Sequence, residues 1–360
     1  MKKALVTGGA GFIGSNFIRY LLKQDPEIRI INLDLLTYAG SLENLSDLID
    51  PERHYFIEGD ICDRDLLKQI FREQAIDLVV HFAAESHVDR SILGPEEFIR
   101  TNIQGTFTLL EVVRNHWRDD QKGIRQDVRF HHISTDEVYG SLAPDEPPFS
   151  EQTPVAPNSP YAASKAASDH LVRAYYHTYG LPVTITNSSN NYGPYQFPEK
   201  LIPLIILNAW KGKQLPIYGD GQQIRDWLFV EDHCRAIWTV IQKGNPGEVY
   251  NVGGNNQPTN LEIVSQICQV LDAKLPESPF VPHFELVQHV KDRPGHDRRY
   301  AINIQKIQEE LEWEPAVSLE EGIQKTVSWY LDHEDWIKKI RKQQDYQSWM
   351  KNNYQERDQK

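Results

Sequence analysis

Three glycines decide most of what this chain can become. Gly8, Gly11 and Gly14 follow a short apolar run, Ala4–Thr7, and open a stretch in which Phe12, Ile13, Phe17, Ile18, Leu21 and Leu22 recur at helical spacing. A strand, a glycine turn and a helix in direct succession form the start of a dinucleotide-binding βαβ unit. The glycines would serve in turn the tight bend, the close approach of backbone to a pyrophosphate, and the packing of helix on sheet. The helix N-terminus then offers N–H donors and a positive dipole end to the anion. Asp34, twenty residues past Gly14, ends a second apolar run, Ile28–Leu33. An acidic residue there binds the adenosine ribose hydroxyls and repels a 2′-phosphate, so NAD is expected in preference to NADP.

The alternation continues along the chain. Leu66–Phe71 reads as helix and Leu78–Ala84 as a buried strand, and Ile103, Phe107, Leu110 and Val113 predict a helix over 103–118. Val128–Ser134 is a further strand, and Tyr161–Thr178 a helix after the Pro-rich loop 144–160. Strands without polar alternation, separated by helices, imply an α/β fold: a Rossmann-type doubly wound parallel sheet covered on both faces. Past residue 186 the pattern changes. Asn190–Lys200 is rich in Asn, Tyr, Pro and Gly, Tyr218–Gln223 reads as a turn, and Pro282–Arg299 as a long irregular polar loop. The expectation is a cofactor-binding domain from 1–199 plus about 225–265, and a smaller C-terminal substrate-binding domain from about 200–224 plus 266–360.

A formal net charge of −13 argues against nucleic acid or an anionic membrane as partner, while leaving room for a phosphorylated small molecule met by a few local cations. The longest apolar runs, around Leu201–Leu207 and Leu78–Ala84, fall well short of the roughly 18 residues of a membrane span. Met1-Lys2-Lys3 is basic, but the glycines break the apolar stretch behind it, so no signal peptide is expected. Cys62, Cys234 and Cys268 lack metal spacing and are expected as buried free thiols in a reducing cytoplasm. The histidines show no metal spacing either, and no metal is expected.

Two further groups carry chemistry. Tyr161 and Lys165 stand at i and i+4 and share a helix face. An ammonium beside a phenol, joined by a positive nicotinamide ring, stabilises the phenolate and makes tyrosine a usable base. The strand ending at Ser134 runs into Thr135-Asp136-Glu137-Val138-Tyr139-Gly140. Strand carboxyl ends face the ligand crevice of such sheets, so adjacent carboxylates there supply an acid and a base, or else merely begin a helix.

With these residues in view the chain resembles the extended short-chain dehydrogenase/reductases that act on nucleotide sugars, most closely the dTDP-glucose 4,6-dehydratase family. The resemblance rests on Gly8–Gly14, Ala83–Ser91, Ser134–Gly140, Tyr161–Lys165, Ser189–Pro194, Arg225–Trp227 and Asp292–Tyr300. The Asp-Glu pair and the last segment are specific; the rest is shared with sugar-nucleotide epimerases. It implies an NAD-dependent lyase acting on dTDP-glucose in dTDP-rhamnose and related deoxysugar formation. Tyr161, helped by Lys165, would take the proton of the sugar 4-hydroxyl, and Thr135 would hydrogen-bond that oxygen. Glu137 would remove the C5 proton and Asp136 would protonate the departing C6 hydroxyl.

The family likeness also implies a cofactor lining of Gly8, Gly11, Phe12, Ile13, Gly14, Asp34, Leu35, Leu36, Thr37, Asp60, Ile61, Phe82, Ala83, Ala84, Glu85, Ser86, Thr101 and Asn191, with Tyr161 and Lys165. It places the nucleotide sugar against Ser86, Thr135, Asn190, Lys200, Leu201, Pro216, Ile217, Tyr218, Arg225, Asn260, Asp292, Arg293, Pro294, Gly295 and His296. Lys200, Arg225 and Arg293 then put cations where a pyrophosphate needs them. The helices at 103–118 and 161–178 resemble the pair that builds a homodimer through a four-helix bundle. An NAD-dependent epimerase or decarboxylase on the same fold is the nearest alternative, and a scaffold that keeps NAD only for structure is a third; neither uses the pair at 136–137.

Overall fold

The computed structural model describes residues 3–292 and 296–342. The apolar runs become seven strands: β1 (Lys3–Thr7), β2 (Arg29–Asp34), β3 (His54–Glu58), β4 (Leu78–His81), β5 (Arg129–Thr135), β6 (Val183–Ser188) and β7 (Val249–Val252). They form one sheet in the order β7-β6-β5-β4-β1-β2-β3, and every neighbouring pair is parallel. The chain winds outward in both directions from β1 and β4, so the carboxyl ends of all strands open on one side, with the topological switch beside β1.

Both faces are covered, which is why the strands lack polar alternation. Leu5 and Ile31 point to one face, beneath α2 (Arg64–Glu73), α3 (Thr106–His116) and α4 (Pro160–Tyr179), meeting Leu67, Phe71, Leu109, Val113 and Val172. Ala4, Val6 and Ile30 point to the other, where α1 (Phe12–Gln24) and a helix at Val230–Lys243 bring Phe17, Ile18, Leu21, Cys234 and Ile237. A second core lies in the C-terminal part. There Ile205 and Ile206 of α5 (Leu201–Trp210), Ile263 and Ile267 of a helix at Asn260–Lys274, and Ile323 and Val327 of a helix at Leu319–Asp332 pack together.

Several expectations need correction. The strand expected over 78–84 stops at His81, so Phe82–Ala84 leave the sheet as a loop. The helix expected over 103–118 is a π-helical segment, Ile99–Gly105, that continues into α3 and ends at His116. The segment 282–299 is not wholly irregular: Val287–Val290 pairs in parallel with Leu215–Tyr218. Cys234 and Cys268 are buried as expected, but Cys62 is half-buried, its Sγ donating to Arg100 O at 3.3 Å. Among the described residues no helix is long and apolar enough to cross a membrane. Arg293, Pro294, Gly295 and the tail beyond 342 lie outside the described residues.

Candidate active site

The carboxyl ends of the strands border a cleft of about 320 Å³. Its first wall is the glycine turn. Gly8 has a φ of 73°, and a Cβ there would meet Ala83 N at 2.6 Å; at Gly14 it would meet Gly8 O at 2.3 Å. Those two glycines are demanded by the fold itself. Gly11 is different: an added Cβ finds only Gly8 O, at 3.3 Å, while the residue lines the cleft. Space at Gly11 therefore serves whatever lies in the cleft, as a pyrophosphate approaching the start of α1 requires. Asp34 is held at the end of β2 by Ala10 N–H (2.9 Å) and Leu36 N–H (2.8 Å), buried at the wall of the cleft.

Every residue expected against the cofactor lines this cleft except Leu36, whose side chain packs into the core beneath α1. The loop freed by the early end of β4 supplies Phe82–Ser86, and Asn102 brackets it, accepting from Glu85 N–H (2.8 Å) and donating to Glu85 O (3.0 Å). That bracket comes from the π-helical segment, which also sets Thr101 on the cleft wall.

The side chains expected to carry chemistry line the same cleft as the glycine turn. α4 begins sharply, with the Ser159 hydroxyl accepting from Ala162 N–H at 3.1 Å and Pro160 in the first turn, so Tyr161 sits at the mouth of the helix. Tyr161 is 8% exposed and Lys165 4%. Thr135 caps the one-turn helix Asp136–Tyr139 by accepting from Glu137 N–H at 3.3 Å, which turns both carboxylates into the cleft. The Thr135 hydroxyl also lies 3.5 Å from Asp136 Oδ1 and hydrogen-bonds Tyr161.

Burial, then Glu137 and Asp226, push Asp136 well above the ordinary carboxylate range, with Arg225 opposing. The shift is toward the protonated form of Asp136. Burial and the carboxylates of Glu137 and Asp136 push the Tyr161 phenol well up as well, against the hydrogen bond from Thr135. The protein alone does not make Tyr161 a ready base. Lys165 spends its ammonium on Ile133 O, 2.7 Å away, and burial lowers its own pKa to about 8.

The residues expected against the nucleotide sugar divide. Ser86, Thr135, Asn190 and Lys200 line the cleft. Asn190 Oδ1 is buried without a hydrogen-bond partner among the described residues, the state of a group that meets a ligand. A second cluster gathers Tyr218, Asp292 and His296: His296 Nδ1 is 2.6 Å from Asp292 Oδ1, Gln223 donates to Asp292 Oδ2 at 3.1 Å, and the Tyr218 and His296 rings meet edge to face. Asn260 N–H reaches Gln223 O at 2.9 Å and ties the next helix to the same turn. Arg225 is buried nearby, donating to Asp297 O at 2.9 Å with its guanidinium over Tyr300. Ile217 and Leu201 do not join either group; both pack in the C-terminal core.

Tyr38, Ser188, Ser189, Gln196, Phe197 and Glu199 also line the cleft and were not foreseen. Their positions depend on loops that sequence periodicity does not register. Asn191, which was expected, is oriented by His233, whose Nδ1 lies 2.8 Å from Asn191 Oδ1.

A family model described as GDP-mannose 4,6 dehydratase matches residues 5–326. The chain is 55% identical over 365 aligned residues to a dTDP-glucose 4,6-dehydratase of Shigella flexneri, covering 99% of both chains. It is 47% identical to a crystal structure of a Bacillus anthracis dTDP-glucose 4,6-dehydratase in complex with NAD, covering 94% of this chain and 100% of that one, with a TM-score of 0.83. A Thermotoga maritima UDP-glucose 4-epimerase, solved with UDP-glucose, is similar at 29% identity and a TM-score of 0.80, covering 92% and 99% of the two chains.

Proposed function

The chain belongs to the dTDP-glucose 4,6-dehydratase family, and from that premise we propose that it converts dTDP-D-glucose to dTDP-4-dehydro-6-deoxy-D-glucose. The observation that carries this reading is the pair Asp136 and Glu137 in the same cleft as Tyr161 and Lys165. An epimerase or decarboxylase needs the tyrosine and lysine but has no use for an acid and a base at the sugar's C5 and C6.

Bound NAD would supply the acceptor for the C4 hydride and its donor to C6, and its ring would add to the positive charge that Lys165 offers Tyr161. Gly8, Gly11, Gly14 and Asp34 would hold its pyrophosphate and ribose. Tyr161 takes the proton of the 4-hydroxyl, with Thr135 orienting that oxygen. The 4-ketone so formed acidifies the C5 hydrogen. Glu137 removes it, and Asp136, whose pKa is raised toward the protonated form, delivers a proton to the leaving C6 hydroxyl; when C6 is then reduced, Glu137 returns the proton to C5. Arg225 and Lys200 supply cations to the substrate pyrophosphate, with Tyr218, Asn260, Asp292 and His296 about the nucleotide. The same reading keeps the two-part division of the chain, with NAD on the 1–199 plus 225–265 part and the sugar nucleotide on the 200–224 plus 266–360 part, and a cytoplasmic place in deoxysugar supply.

Deuterium at C4 of dTDP-glucose should appear at C6 of the product, measured by mass spectrometry and NMR, without accumulation of free NADH. Stoichiometric release of NADH would mean a plain dehydrogenase and would overturn the proposal.

The protein is further proposed to act as a homodimer through α3 and α4. Ile99 and Phe107 are 56% and 39% exposed and share a stripe with Ile103, and Ile92 and Leu93 of the preceding helix are exposed too. A patch of this kind marks an interaction surface. Phe107→Asp should shift the molecule from dimer to monomer in analytical ultracentrifugation; a wild-type protein that sediments as a monomer at micromolar concentration refutes the assignment.

A further inference from the structure

The helix that presents Tyr161 and Lys165 carries a third polar residue on the same face. Asp169 follows Lys165 by four positions, as Lys165 follows Tyr161. Its side chain is 14% exposed and its Oδ1 is buried without a hydrogen bond. Ser134 donates to its Oδ2 at 2.7 Å, which fixes the carboxylate against β5. Oδ1 lies 3.2 Å from His132 Nε2, and that same nitrogen lies 3.4 Å from Lys165 Nζ.

One imidazole nitrogen cannot accept from the lysine and donate to the carboxylate at once. In either tautomer His132 brings no charge, because burial and the lysine itself hold it well below its ordinary range. His81 of β4 is likewise held neutral by burial, by His132 and by Lys165. The titratable groups around the ammonium are thus Tyr161, Asp169 and His170 on its own helix, His132 on β5 and His81 on β4, with Asp136 and Glu137 facing Tyr161 from beyond β5. Of these only Asp169 offers a negative charge on the side of Lys165 away from the cleft.

We propose that Asp169, pinned by Ser134 and separated from Lys165 by His132, is a positioning residue that keeps Lys165 an ammonium behind Tyr161. It rests on the reading of Tyr161 as the base for the 4-hydroxyl. Burial lowers the Lys165 pKa to about 8 with Asp169 as the group opposing it, so removal of that charge should lower it further. Asp169 itself is raised to about 6 by burial, so its charge is present when the enzyme works above that pH.

The test uses full-length protein labelled with [13C]lysine, with the Lys165 Cε signal assigned by its loss in Lys165→Met. In Asp169→Asn that signal should titrate about 1–3 pH units lower. The basic limb of the kcat profile for dTDP-glucose should move down with it, while KM stays at the wild-type value. Asp169→Glu should restore both. Ser134→Ala, which removes one hydrogen bond and leaves the helix intact, should give a smaller shift in the same direction even if Asp169→Asn folds poorly. An unchanged Lys165 titration in these variants, or a loss of kcat equal at every pH, overturns the proposal. The titration needs no substrate, so a protein inactive on dTDP-glucose would refute the proposed function and leave this test standing.

Discussion

Phenylalanine at Tyr161 is expected to cost about 10²–10⁴-fold in turnover of dTDP-glucose, the usual worth of a positioned general base, with substrate binding little changed. The phenol is buried in the wall of the cleft with both carboxylates near it, so its removal takes away a proton acceptor and little exposed surface. Lys165→Met should act through the same group. Without the ammonium the phenolate is less stable, so the acidic limb of the pH–rate profile should move upward and activity at neutral pH should fall severely. Steady-state kinetics across pH 5–10 in the two variants decide the matter. A Lys165→Met enzyme with wild-type activity at neutral pH would remove Tyr161 from the role of base.

The second large effect concerns the carboxylates, whose environments set them apart. Oxidation at C4 should need neither, whereas elimination should need both. Glu137→Gln removes the base for the C5 proton, so in a single turnover a 4-keto species with reduced cofactor should build up, visible as absorbance near that of NADH. Asp136→Asn keeps that base but has no proton to deliver; it should exchange the C5 hydrogen with solvent while losing water slowly. Each loss should be about 10²–10⁴-fold on the dehydration step. If both variants dehydrate at the wild-type rate, the pair is structural and the epimerase-type reading takes its place. The raised pKa of Asp136 gives this prediction a pH sign: its donor form is lost only as pH climbs above the folded value, so dehydration should fail at the basic end.

The glycine turn, Asp34, and the Tyr161–Lys165 spacing were legible because each is a local requirement. Gly8 and Gly14 are excluded to other residues by backbone a few positions away or on the adjoining loop, and a four-residue step on a helix places two side chains together wherever the helix packs. The parallel sheet was legible for the same reason, since runs buried on both faces leave no polar alternation. The π-helical segment was not, because the register of Asn102 against Glu85 is a long-range choice.

What the sequence determined by itself is therefore the fold class, the glycine turn and the identity of the side chains that meet in the cleft. Their protonation was decided only by the tertiary structure. Nothing in the string Ser-Thr-Asp-Glu says that Asp136 is buried or that Asp226, ninety residues on, stands near it; that burial, with the adjacent Glu137 and the distant Asp226, is what raises its pKa. Nor does Tyr-x-x-x-Lys say that the ammonium turns to Ile133 O, with His132 and Asp169 behind it. Residue identity is inherited from the chain, but a charge depends on desolvation and on every neighbour within a few ångströms, and those neighbours are assembled only by folding.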